Sequence, residues 1–436
     1  MGRTIFESDI FMKTSHLNFQ QLTTLVSLVA LIGGAQFSRA KEIKRDRPVR
    51  VLNPKRMAAA NIAAVRTPLG IPNDYKPWLT RLGGDKLLMV AFSYGGVPHN
   101  KLPKGKPYLE RAIFWRSNDG GKTWGAREEH PEVHGREFSL NRLNDGTLMM
   151  PCHFLKQDAA NKAGYTYSKL FRSTDDGKTW TETRIGPKGF PPRANTATDW
   201  SVLEVPDPKA PGRRMAVFGV SMQHGGKRAP SVVAMWRSRD SGKTWNKTMR
   251  PNTDGWIDVD GFFSQSTTYR ARSGKLLHVI RVDATGPHWA VPDLKSAGKE
   301  NGDQADRMML WTSANNGARW RRQGRFGTFG AGGEMYPRFL RLPGNRLLLT
   351  FTVRSSTTDG NALGLRAIVS PDDGATWDFD HDRLVIDDQN IGASGGGFGN
   401  TIRANDGALV STYSYRGKDG QTHIETARWH LPAAKK

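Results

Sequence analysis

Short apolar runs, each led in by turn residues, punctuate the chain six times: Gly84-Asp-Lys-Leu87-Leu-Met-Val90, Asp145-Gly-Thr-Leu148-Met-Met150, Arg213-Arg-Met215-Ala-Val-Phe218, Gly274-Lys-Leu276-Leu-His-Val-Ile280, Gly344-Asn-Arg-Leu347-Leu-Leu-Thr-Phe351 and Asp406-Gly-Ala-Leu409-Val410. They have strand length. Between them lie stretches of two-residue alternation, such as Ala112-Ile-Phe114-Trp-Arg116 and Val233-Ala-Met235-Trp-Arg237, the period of a half-buried strand. No helix-period segment of length appears in the body.

After each of the first five runs comes one octapeptide turn: Ser117-Asn-Asp119-Gly-Gly121-Lys-Thr123-Trp124, Ser173-Thr-Asp175-Asp-Gly177-Lys-Thr179-Trp180, Ser238-Arg-Asp240-Ser-Gly242-Lys-Thr244-Trp245, Ser313-Ala-Asn315-Asn-Gly317-Ala-Arg319-Trp320 and Ser370-Pro-Asp372-Asp-Gly374-Ala-Thr376-Trp377. The third-position Asp or Asn folds onto backbone N–H groups ahead of it, the Gly supplies positive φ, and the Trp buries a large ring under the hairpin. The fourth copy, with Asn315 and Arg319, is expected to be the weakest.

The copies start at 117, 173, 238, 313 and 370, so they lie 56, 65, 75 and 57 residues apart. That is irregular for a solenoid and suits four-stranded blades with loops of varying length. The expected fold is an all-β, six-bladed propeller over residues 65–430, followed by a short tail at 431–436. Each blade reads as strand A, a tight turn, strand B with the apolar run, a long loop, strand C, the octapeptide, and strand D. The sixth blade ends with its third strand, Thr422 to Trp429, so its outer strand is expected from about Asn61 to Arg66, closing the ring without an exposed edge. The 47 Gly and 13 Trp agree with short strands and many turns. A propeller also evades the single-core size limit, because each blade buries its faces against its neighbours.

Residues 1–40 read as a signal peptide, with Leu22 to Ile32 as the apolar run and Ser38-Arg39-Ala40 at the cleavage point. The acidic Glu7 and Asp9 point to translation from Met12. The run is too short to span a bilayer, so a secreted or periplasmic protein is expected. Residues 41–64 read as a basic, solvated linker. Cys152 is the only cysteine, so export implies no disulfide here.

Net charge is +23, and removing residues 1–40, with three cations and two anions, lowers it by one. Such a surface attracts polyanions, acidic glycans foremost. Nucleic acid is not expected, since no recognition motif is present. There is no P-loop, no paired-Cys pattern and no His-Glu-x-x-His, so no metal or cofactor is expected. Gly395-Gly-Gly-Phe398-Gly399 reads as a tight entry into the last blade.

In an up-and-down blade the octapeptide turns face away from the B-to-C loops, so the working face is built from those loops and the strand A entries. Three B strands end there in arginine: Arg281, Arg354 and Arg416. Converging guanidiniums clamp a carboxylate by charge-assisted hydrogen bonds. The octapeptides resemble the Asp-box, or bacterial neuraminidase repeat, and with the six-blade count the chain resembles bacterial sialidases over about residues 68 to 430. The resemblance implies an exported, monomeric glycoside hydrolase releasing a terminal acidic sugar, its carboxylate held by Arg281, Arg354 and Arg416, with Arg338 and Lys76 beside them. It also implies a Tyr nucleophile polarised by Glu, an exception among glycosidases to the two-carboxylate rule. Tyr336 and Glu334 of Gly333-Glu334-Met-Tyr336-Pro-Arg338 fit, since strand alternation points both the same way. Asp199 and Asp283 are the candidates for general acid.

Three departures stand beside the resemblance. Lys76-Pro77-Trp78 replaces an Arg-Ile-Pro entry, the loop from Ser93 to Arg111 holds no Asp, and Phe398-Gly399 occupies the place of a late Tyr. His99, His153, His224 and His288 lie on or near B-to-C loops and read as structural or solvated. Two other classes therefore remain open: a propeller-type lyase on uronate glycans, and a carbohydrate-binding propeller without catalysis.

Overall fold

A computed structural model describes residues 47–433 and 435, apart from 99–100, 103–105, 186–194, 224–230, 246–256, 260–261, 284–306, 324–327, 355–362 and 392–395. The proposed leader lies outside the described residues. The described strands form six antiparallel sheets, the blades of a propeller. Blade 1 is Asp74–Gly83, Lys86–Ser93, Arg111–Ser117 and Glu128–His134; blade 2 is Asn141–Arg142, Leu148–Phe154, Tyr167–Ser173 and Thr181–Ile185. Blade 3 splits its inner strand into Asn195–Thr198 and Leu203–Pro206, followed by Arg214–Gln223, Ser231–Ser238 and Ile257–Val259. Blade 4 runs Phe262–Arg270, Leu276–Asp283 and Arg307–Ser313, with a divided outer strand at Arg321–Arg322 and Thr328–Phe329. Blade 5 is Glu334–Arg341, Leu347–Val353, Gly364–Ser370 and Arg383–Val385.

Blade 6 closes the ring. Gly399–Arg403, Leu409–Arg416 and Thr422–Trp429 take their outer strand from Ala64–Leu69, three residues beyond the expected start, with Ala64 opposite Trp429 and Leu69 opposite Ile424. Residues before it depart from the linker expectation. Val49–Leu52 pairs with Arg383–Val385 and with Asn61–Ile62, adding two strands to the edge of blade 5. Val49 and Val51 are the reason: either side of Arg50 they point to the same face and bury in one cluster with Leu384 and Ile386.

The octapeptides fold as one device. Ser117 Oγ donates to Asp119 Oδ1 at 2.8 Å and accepts from Gly121 N at 2.9 Å, while Thr123 N and Oγ1 donate to Asp119 at 2.9 and 2.6 Å. The copies at 173, 238 and 370 repeat this pattern. In the fourth, Asn315 keeps the Arg319 N–H at 2.8 Å, and Arg319 offers no hydroxyl. Two successive residues have positive φ in every copy, as Gly120 and Gly121 or Asp176 and Gly177. This is the paired left-handed conformation of a tight hairpin turn. An arginine in the preceding blade then caps the turn: Arg116 donates to the Asp176 and Gly177 carbonyls at 2.8 and 3.0 Å, and Arg172 to Ser241 at 2.8 Å. Blade-to-blade packing therefore continues as hydrogen bonding on this face.

Candidate active site

At the strand A entries the chain departs from regular pairing. The register slips between Tyr75 and Trp78, between Phe263 and Ser266, and between Met335 and Arg338. Lys76, Glu137 and Tyr336 all carry positive φ, at 51°, 57° and 56°. For a bulky side chain that conformation is strained, and it persists only where surrounding contacts impose it. Each bulge turns one side chain towards the axis.

The side chains meet in a closed circuit. Lys76 of blade 1 pairs with Glu137 of blade 2, whose Oε2 accepts from Gln265 of blade 4 at 2.7 Å. Gln265 Oε1 accepts from Arg281 at 3.0 Å, and Arg281 donates to the Tyr336 hydroxyl of blade 5 at 2.5 Å. The Tyr336 and Phe398 rings lie 4.0 Å apart, and Lys76 Nζ returns to 3.6 Å from the Phe398 ring of blade 6. A chain of contacts through blades 1, 2, 4, 5, 6 and back to 1 encloses the propeller axis. Arg354 completes it, 5.3 Å from the Tyr336 ring and 4.9 Å from Phe398. Beneath, Tyr336 stacks at 5.4 Å on Trp200, and Arg338 lies 3.1 Å from Trp200 and 4.5 Å from Trp78.

The cluster is buried and rich in positive charge. Burial, reinforced by the neighbouring Arg281, pulls Arg354 down to about 9. Burial pulls Lys76 down to about 7, against the raising effect of Glu137. Burial acts the other way on Glu137, but Lys76, His153 and Arg136 hold it well below the usual carboxylate range. His153, in strand B of blade 2, stands 3.8 Å from Glu137. Behind Glu137, Arg136 pairs with Glu110 at 2.8 Å and reaches the Tyr94 hydroxyl; burial pushes Glu110 up to about 7.

Of the residues expected from sequence, Arg281, Arg354, Tyr336 and Lys76 therefore meet at the axis, with Arg338 in the floor. Arg416 ends strand B of blade 6, its backbone N–H on Asn390 at 2.7 Å, and its guanidinium joins none of these groups among the described residues. Glu334 differs from the alternation argument. Its carboxylate is engaged by Arg383 and by the Ala331 N–H, each at 2.7 Å, because the bulge at Tyr336 and Pro337 breaks the two-residue period. Asp199 lies inside the wall rather than on the rim. It accepts from the Ser201 N–H and hydroxyl at 3.0 and 2.9 Å and from Thr268 at 2.5 Å, tying blade 3 to blade 4. Burial, only partly offset by those bonds, pushes it up to about 6. Asp283 closes strand B of blade 4 opposite Phe262, and its side chain lies outside the described residues, as do His99, His224 and His288.

Glu137, Arg136, Gln265 and Glu110 escaped the sequence reading. The signal for three of them, Arg136, Glu137 and Gln265, is positional: aligned on the apolar runs, Tyr75-Lys76, Arg136-Glu137, Ser264-Gln265, Met335-Tyr336 and Gly397-Phe398 are equivalent entries.

No protein-family model matches the chain, and no curated protein does. Solved structures do. A protein of unknown function from Dyadobacter fermentans aligns with TM-score 0.58 at 16% identity, over 89% of this chain and 99% of that one. A Hadza microbial sialidase aligns with TM-score 0.52 at 16% identity, over 81% of this chain and 66% of the other. An alpha-L-arabinofuranosidase from Fusarium graminearum gives 0.50 at 12% identity, over 88% and 97%. At these identities the likeness is one of fold: this chain has the six-bladed propeller that sialidases and other glycosidases use.

Proposed function

We propose that the protein is an exported, monomeric glycoside hydrolase of sialidase type, releasing a terminal acidic sugar from glycans. One observation carries the reading: Arg281 and Arg354, buried on adjacent blades, both converge on Tyr336 at the axis. Two guanidiniums with Lys76 beside them supply the charge-assisted donors that a carboxylate requires. Tyr336 is the nucleophile in this reading, with Arg281 placed to take up negative charge on its oxygen as the intermediate breaks down. Glu334, held by Arg383, positions the Tyr336 entry instead of polarising the phenol. Lys76 takes the role of general acid, which Asp199 is too enclosed to fill. The octapeptide turns, read as Asp-boxes, belong to the scaffold.

The near-neutral Lys76 also favours a second reading, elimination from a uronate with Lys76 as base and the arginines neutralising the carboxylate. A fluorogenic sialoside and a polyuronate separate the two. Hydrolysis releases the fluorophore and is lost in Tyr336→Phe by at least about a hundredfold, whereas elimination gives an unsaturated, ultraviolet-absorbing product. Absence of both, with carbohydrate binding retained, would overturn catalysis altogether.

A further inference from the structure

We propose that the face carrying the octapeptide turns binds a linear anionic polysaccharide through a collar of arginines around the propeller axis. The collar is a sequence repeat. Opposite the first leucine of strand B stand Arg81, Arg142, Arg270, Arg341 and Arg403 in blades 1, 2, 4, 5 and 6, the last pair of the two strands in all but blade 1, where Gly83 and Lys86 pair beyond it. In blade 3 Pro206 takes this position, and Arg214, directly opposite, carries the charge. Because strand A is the innermost of each sheet, residues at its end ring the axis.

Their contacts run from blade to blade. Arg81 donates to Asn405 of blade 6 at 2.6 Å, and Arg341 to the Arg270 carbonyl of blade 4 at 2.5 Å. Burial and the like charges of Arg214 and Arg341 weaken the hold of Arg270 on its proton. None of the six arginines has a carboxylate within ion-pair distance among the described residues. Elsewhere on the same body Arg116, Arg127, Arg239 and Arg428 all do. Six guanidiniums spread around a ring and left without counter-charge suit a ligand with many anionic groups, since each contact alone is weak. Sulfate and carboxylate match the planar fork. Single-stranded nucleic acid fits less well, because it calls for stacking platforms, and Tyr269 is tied by its hydroxyl to Asp373 and Arg341.

The test is binding of the full chain to immobilised heparin across a salt series. Arg214→Gln, Arg270→Gln and Arg341→Gln together keep the aliphatic stems that cover the turns. They are expected to weaken binding at least about tenfold and to flatten the slope of log affinity against log salt by about three. Lys156→Gln, Lys162→Gln and Lys418→Gln remove as much exposed charge from the other rim and are expected to cost no more than about twofold. Equal losses in the two triples, with unchanged melting temperatures, would reduce the collar to net charge and overturn the proposal. So would tighter binding of single-stranded DNA than of heparin. Turnover of a monosaccharide substrate, read separately, is expected to be unchanged in the collar triple, so the central site and the collar stand or fall independently.

Discussion

At the residue scale, the molecule turns on a lysine that burial holds near neutrality. In the proposed hydrolase, Lys76 would serve as a general acid only while protonated, so kcat/KM is expected to fall as pH rises through about 7. Lys76→Arg, charged at every accessible pH, is expected to abolish that limb. Glu137 is the partner that raises Lys76, so Glu137→Gln moves the limb to lower pH; a limb unmoved in both variants assigns the titration elsewhere. Asp199 carries the opposite expectation. Asp199→Ala leaves the Ser201 and Thr268 donors without their acceptor and should cost about 1–3 kcal/mol of stability by chemical denaturation, with kcat retained in the folded fraction. These outcomes exchange the roles that sequence alone suggests, Asp199 as general acid and Lys76 as a binding residue beside the arginines. Asp199 and Lys76 both sit at strand A entries, but a half-turn of backbone decides which faces the axis, and sequence carries no register for a bulge. The alternation placing Glu334 beside Tyr336 failed for that reason: a non-glycine residue at φ 56° is imposed by packing from other blades. Arg281 and Arg354 were legible because strand B is regular and its end is marked by the apolar run itself.

At the element scale, the octapeptide turn was legible almost completely, because all its defining bonds fall within eight residues. Ser, Asp, Gly and Thr each make the bond that their spacing requires. The inter-blade arginine cap was less visible, since it joins residues about sixty apart, as in Arg116 to Asp176. The weak fourth copy gives a stability test. Asn315→Asp with Arg319→Thr restores the hydroxyl-to-carboxylate bond present in the other four turns. A gain of about 0.5–1.5 kcal/mol is expected, seen as a higher midpoint in denaturant without change in slope. No gain would mean that the Trp320 Nε1 bond to Gly317 at 3.0 Å and the shared Ser–Gly bond already fix the turn.

At the scale of the whole molecule, the N-terminal segment closes two seams with one stretch of chain. Ala64–Leu69 completes blade 6, and Val49–Leu52 adds to blade 5. Composition alone makes the second a solvated linker, because its basic residues dominate. In the fold those residues answer a buried acidic group: Arg47 pairs with Glu425 at 2.8 Å and approaches Asp387 at 3.7 Å, while Arg50 meets Asp388 at 2.7 Å. Asp387 is wholly buried, and that burial pushes it up to about 6 even with Arg47 as the foremost opposing influence. A chain beginning at Asn53 loses Arg47 and Arg50, so Asp387 rises further. A carboxyl whose folded value lies above its unfolded value of about 3.9 binds its proton more tightly when folded, so its contribution is fully present below about pH 4 and is lost as pH rises through the folded value. The chain starting at Asn53 is therefore expected to melt below one starting at Arg47, with a gap that widens from about pH 4 to above pH 6. A gap independent of pH would assign the difference to the lost strand pairing of Val49 and Val51 alone, and leave the buried acids without a role in closing the ring.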